Sequence, residues 1–190
     1  MRYELRDALT FLYADDAVSA VPCRELAVDV PRGGIAAAQV LLTGVPAEAA
    51  VRCAAGAAEA QWFRLRDVSV ERNTGPVGFC ETAESGENPH VTRRAPFRVF
   101  DAMQPNPGEV IADAATLALR VHLPVAPDAP AGAQAIPLQI VVDGETCALR
   151  LHVTVYPATV PPVGTDSFPY TNWFSVEPMA SRHGLAPWSE

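Results

Sequence analysis

An all-β fold, two antiparallel sheets packed as an immunoglobulin-like sandwich, follows from three features of the 190-residue sequence. Eighteen prolines and twelve glycines punctuate short apolar runs, at about the ten- to fifteen-residue spacing of sandwich strands. Residues Thr116 to Leu123 alternate, with Leu117, Leu119, Val121 and Leu123 on one side and Ala118, Arg120 and His122 on the other, which is the period of a strand. The breakers leave little room for helices of ordinary length.

In chain order, strands are expected near Tyr3–Leu5, Arg24–Val30, Ala36–Leu42, Ala49–Ala54, Gln61–Glu71 and Phe97–Ala102. The alanine-rich third and fourth have weak β propensity. They read as strands because Gly33-Gly34, Gly44 and Gly56 bracket runs too short for stable helices. Asn73 to Pro96 is a polar stretch too long for a simple hairpin; both a contact role and mobility stay open. After the Thr116 strand, the prolines of Pro124–Gln134 favour an extended connection and a turn.

A hairpin closes the sandwich. Ile136, Leu138, Ile140 and Val142 share a face; Asp143 and Gly144 suit the positive φ angles of a tight turn; Cys147, Leu149, Leu151, Val153 and Val155 return on the core side. Pro137 cannot donate to a ladder, so a free edge is expected there. The total is about eight or nine strands, enough for two sheets.

Composition excludes several functions. Fourteen basic and twenty-two acidic residues give a charge of −8, without the basic stripe that nucleic acid or an anionic membrane requires. The N-terminal residues lack a signal-peptide pattern and no apolar run approaches a bilayer span, which points to a soluble, cytoplasmic protein. Cys23, Cys53, Cys80 and Cys147 are too far apart for a CxxC motif and are expected as reduced thiols. No cofactor or metal is expected. His122 and His152 recur in ALRVHLPV and ALRLHVTV and could share a sheet face, but no third ligand is placed by spacing. The pairs Asp15-Asp16 and Glu81 with Glu84 read as solvated surface, because glycosidase carboxylates must face each other across a substrate. No GxSxG, P-loop or HExxH occurs.

The run PATVPPVGTDSFPY reads as a stiff linker leaving a sandwich of residues 1–157. Beyond it, residues 158–190 hold a short aromatic strand, TNWFS, and a helical turn in EPMASRHGLAPWSE stopped by Gly184. The passage FDAMQPNPGEVIADAATLALRVHLPVAPDAPAGAQAIPLQIVVDGETCALRLHVTVYPATVPP, followed by TNWFSVEPMASRHGLAPWSE, resembles the N-terminal part of glycoside hydrolase family 123 and related bacterial proteins of the DUF4091 type.

That resemblance implies a β-sandwich followed by a (β/α)8 barrel, with TNWF as its first strand and the segment to Glu190 starting its first loop. It also implies hydrolysis of N-acetylgalactosaminides through the substrate's own acetamido group, assisted by an Asp-Glu pair beyond Glu190. This chain is then expected to be a non-catalytic module whose partner is its own barrel. Asn172, Trp173, Phe174 and Trp188 are the candidates for touching that barrel or carbohydrate, and aromatics beside a linker more often pack than bind. Two other roles stay open: a carbohydrate-binding module, for which Trp62-Phe63, Phe79, Phe97 and Phe100 are the aromatics available, and a domain that self-associates through its exposed tail.

Overall fold

The structure, a computed structural model, describes residues 1–57, 59–73, 91–106, 108–161, 180–182, 184 and 186. The chain divides into two compact units, Met1–Val160 and Pro161–Glu190. The first is the sandwich, with ten strands: β1 (Arg2–Asp7), β2 (Glu25–Arg32), β3 (Ile35–Thr43), β4 (Ala50–Ala55), β5 (Gln61–Val70), β6 (Phe97–Pro105), β7 (Glu109–Ile111), β8 (Thr116–Pro124), β9 (Gly132–Val142) and β10 (Glu145–Thr159). In the second unit, residues 180–182 form a helical turn, and Gly184, at φ +66°, donates its N–H to the Ser181 carbonyl at 3.2 Å.

One sheet runs β1-β3-β8-β5-β6, the other β2-β10-β9-β4-β7. Every pairing is antiparallel except β2 with β10. Their facing sides bury Leu117, Leu119, Val121 and Leu123 from β8 against Leu138, Ile140, Leu149, Leu151 and Val153 from β9 and β10. Each such side chain contributes about 1.5–3 kcal/mol of burial. The alternation of β8 is therefore as the sequence indicated. So is the last hairpin: Asp143 and Gly144 sit at φ 46° and 88°, and Cys147 to Val155 alternate inward.

All six early strands form within a few residues of their expected limits, including the alanine-rich β3 and β4. Alanines 36 and 38 are fully buried, so tertiary burial overrides their weak propensity. The three-residue β7 was not legible, because it pairs through only Ala50–Arg52. β9 begins at Gly132, inside the expected connection, and β10 continues through Pro157 to Thr159. Pro137 acts as anticipated in part. β9 is a central strand, but its β4 ladder stops at Leu138, and Gly56 then donates to the Pro137 carbonyl at 2.8 Å. A Cβ on Gly56 would lie 2.7 Å from the Pro137 ring, so only glycine lets the chain turn away there.

A second, smaller core was not foreseen. Residues 8–24 cross the outer face of the first sheet as a strap, and Leu12 packs there on Leu65, Phe100 and Ala118. The buried Gln39 amide donates to the carbonyls of Asp7 at 2.9 Å and Thr10 at 2.8 Å, and Arg120 donates to that of Ala8 at 3.1 Å. The strap then runs beside β6, where Phe100 N–H meets the Leu12 carbonyl and Ala14 N–H the Arg98 carbonyl. Arg93 stacks on Tyr13 and pairs with Asp15, while Tyr13 meets Phe97 edge-to-face at 5.5 Å. A strap placed this way also covers part of the β6 edge, which would otherwise offer unpaired backbone to another strand.

The strap's return leg is fixed by a buried carboxylate. Glu4 is fully buried and accepts from Arg6 at 2.7 Å and from the Ser19 N–H and hydroxyl, both at 3.2 Å. Burial alone would raise its pKa, but the bonds from Arg6 and Ser19 outweigh that and hold it below the ordinary carboxylate value.

Two stability measurements check these anchors. Gln39→Ala leaves the Thr10 carbonyl without a donor and the Asp7 carbonyl with only the Thr10 N–H, and is expected to lower the unfolding free energy by about 1–3 kcal/mol in urea titration; an unmoved midpoint would mean the strap is held elsewhere. For Glu4, the depressed pKa means its stabilisation is complete above its unfolded value of 4.5 and is lost as pH falls through the lower folded value. Glu4→Gln should therefore be less stable than the parent at pH 7, with the gap narrowing below pH 4.5.

Candidate functional site

The residues singled out in the tail, Asn172, Trp173, Phe174 and Trp188, lie outside the described residues, as do Phe79, Cys80, Glu81 and Glu84. Of the aromatics proposed as a sugar platform, Trp62 and Phe100 are buried, 7% and 9% exposed, in the main and strap cores respectively. Phe63 packs on the His122 ring at 4.9 Å. Trp62 and Phe100 therefore offer no flat open face.

The two histidines do not share a sheet. His122 lies on β8 and His152 on β10, one in each sheet, because the matching segments ALRVHLPV and ALRLHVTV became strands of opposite layers. Desolvation, with the neighbouring charge of Arg120, lowers the His122 pKa, and Arg120 donates to its Nε2 at 2.9 Å. His152 meets Glu25 at 2.9 Å, with Arg150 on the same carboxylate. Among the described residues no three His, Cys, Asp or Glu side chains gather as metal ligands. Asp15 pairs with Arg93, and Asp16 caps the strap by accepting from the Tyr13 N–H at 2.9 Å.

What the fold does create is a cleft of about 520 Å³ at the open edge of the sandwich, where β4 of one sheet lies near the start of β5 and the end of β6. That size is typical of small-molecule pockets. Its walls are mainly apolar: Cys53, Ala55, Ala57, Ala60, Trp62 and Pro105. The alternation of β5 aims Trp62 inward, and Asn106 follows it because its N–H bonds the Trp62 carbonyl at 2.9 Å. Asn106 is 5% exposed, accepts from Gly108 N–H at 3.3 Å, and reaches Cys53 Sγ only at 3.7 Å. The Trp62 Nε1 is shielded from water and has no acceptor. An orphaned buried donor of this kind costs about 1–3 kcal/mol.

No described lining residue is charged. Burial pushes the Cys53 thiol up to about 12, so it stays protonated and is no nucleophile at neutral pH. The described lining is thus an apolar wall with the amides of Gln61 and Asn106 as its polar side-chain groups beside the Trp62 indole. The sequence offered Trp62 only as one of the aromatics available for a platform, and it gave no signal for Asn106, which comes to the cleft only when β4 and the residues after β6 meet across the two sheets.

Beside this edge, Arg64 bridges the layers. It is 7% exposed and donates to the Ile111 carbonyl at 3.1 Å and to Asp113, which Arg66 also binds at 2.9 Å. Partial burial would raise the Asp113 pKa, yet the two guanidiniums outweigh it and hold the carboxyl ionised.

No protein-family model matches the chain, and no curated protein matches it in sequence. Among solved structures, it superposes on a family 123 glycoside hydrolase from Clostridium perfringens, studied for glycolipid glycan hydrolysis, with TM-score 0.60 and 8% identity over 84% of this chain. The chain spans 28% of that enzyme. A second match, the C-terminal domain of the Streptococcus agalactiae AgI/II polypeptide BspA, has 15% identity over 64% of this chain and 43% of that one, but a TM-score of 0.26, too loose to bear on function. The similarity to the hydrolase is one of fold: both share the two-sheet sandwich. Among the described residues no helix is long and apolar enough to cross a membrane.

The protonated, half-buried Cys53 gives a chemical check. At pH 8 it should alkylate with iodoacetamide at least about tenfold more slowly in the folded protein than in urea; equal rates, followed by peptide mass spectrometry, would show that the thiol is neither shielded nor shifted.

Proposed function

We propose that this chain is the non-catalytic N-terminal β-sandwich module of a glycoside-hydrolase-like protein, which docks on and supports a catalytic barrel supplied by further polypeptide. The observation that carries the reading is the superposition of the sandwich, over 84% of the chain, on 28% of a family 123 enzyme. In this reading the parent reaction is hydrolysis of N-acetylhexosaminides. Residues 158–190 are the linker and the start of the barrel, with Asn172, Trp173, Phe174 and Trp188 at the domain interface.

The electrostatics of the sandwich support a supporting role. A glycosidase acid must be kept protonated near neutral pH, which takes an apolar or like-charged setting. Among the described residues every carboxylate with a resolved shift, namely Glu4, Asp15, Glu25, Asp67 and Asp113, moves the other way. Each has an arginine or histidine partner, such as Arg98 on Asp67 or His152 and Arg150 on Glu25. They are ion pairs that knit strands together, not acids poised to donate.

The test compares two proteins. The 190-residue chain is expected to release no more phenol from an aryl N-acetylgalactosaminide than buffer does, while the product of the full reading frame through and beyond the Glu190 codon hydrolyses it. Turnover by the short chain alone overturns the accessory reading. A stop codon at Glu190, together with dimers lost on removing residues 170–190, would replace it with self-association.

A further inference from the structure

We infer that the cleft at the sandwich edge is a binding site for a small uncharged molecule with an apolar body and one carbonyl or hydroxyl oxygen. Three observations converge on it. The volume of about 520 Å³ is that of a ligand pocket, not a packing defect. The wall is alanine-rich and carries no charge among its described residues, so an ion would lose its hydration without gaining a counter-charge from them. And two deeply buried polar side chains on the wall have hydrogen-bonding capacity to spare.

Those two groups define the polar end of the ligand. Trp62 is 7% exposed and its Nε1 lacks an acceptor; Asn106 is 5% exposed and its amide has only a 3.3 Å bond from Gly108 and a 3.7 Å contact with Cys53. An indole N–H donates only, and the amide both donates and accepts. An oxygen entering the cleft would accept from both once the indole turns its shielded N–H toward it. The rest of the molecule would lie against Ala55, Ala57, Ala60 and Pro105. A free sugar fits poorly. Its several hydroxyls would meet alanine methyls, and among the described residues only Gln61 adds a further polar side chain.

The inference is independent of the barrel, because every residue it uses lies in the sandwich. Its test uses the 190-residue chain, labelled with 15N, and follows the three indole N–H signals by NMR, the Trp62 signal being assigned by its loss in Trp62→Phe. Acetanilide serves as the probe and galactose as the sugar control. Acetanilide is expected to shift the Trp62 signal saturably, with Kd of about 1 mM. Ala60→Phe, which fills the cleft, should abolish saturable binding, and Asn106→Leu should weaken it at least about fivefold. Unchanged dispersion of the remaining amide signals shows that each variant is folded; should one unfold, Ala57→Leu takes its place as the filling variant.

Absence of a saturable shift at about 20 mM acetanilide overturns the site. So does binding that survives the filling variant, which would put the probe elsewhere. Tighter binding of galactose than of acetanilide overturns the ligand class and makes the sandwich a carbohydrate-binding module.

Discussion

Everything in this fold rests on the burial of two facing strand surfaces across the β8 and β9–β10 layers. A strand shows alternate side chains to opposite sides, so a leucine or valine at every second position produces one dry face per strand. Leu119, Leu138, Ile140 and Leu151, each at most 1% exposed, are the centre of that contact. Once they are paired, the remaining strands have little choice. β3 must lie beside β8 to bury Val40 and Leu42, and β4 beside β9 to bury Val51.

That arrangement leaves an outer surface and an open edge to be managed, and the molecule treats them differently. On the outer face of the first sheet, Leu65, Phe100 and Ala118 would be wet, and the strap covers them with Leu12. Backbone carbonyls laid over a sheet need donors, and Gln39 and Arg120 supply them from the sheet itself. At the edge, Arg64 reaches from β5 to the segment after β7 and closes part of the gap with hydrogen bonds and charge. The part left unclosed is the cleft. Small side chains on β4 and the loop after it line it, together with Trp62 and Asn106.

The charged groups follow one logic. Ion pairs at Arg98–Asp67, Arg93–Asp15, Arg52–Glu109 and Arg150–Glu25 link neighbouring strands or strap and body at solvent-exposed positions. Exposed pairs of this kind contribute little stability individually. Their value is in fixing which segments lie side by side.

The sequence by itself determined the strand rhythm, the final hairpin and the inward set of β8, because those depend on alternation within a single segment. It also determined the tight turn at Asp143-Gly144, a matter of local φ angles. The partners of each strand were decided only by tertiary structure, since pairing depends on contacts between segments far apart in the chain. His122 and His152 show this: two octapeptides identical at five of eight positions lie in opposite sheets, with different neighbours. Trp62 shows it again, for alternation could say that it faces away from Phe63 but not that it would line one cleft with Cys53 of β4 and Asn106 just after β6. The strap escaped the sequence for the same reason. Residues 8–24 have no period of their own, and their conformation is dictated by the carbonyl-binding side chains and the apolar face of a sheet whose strands come later in the chain.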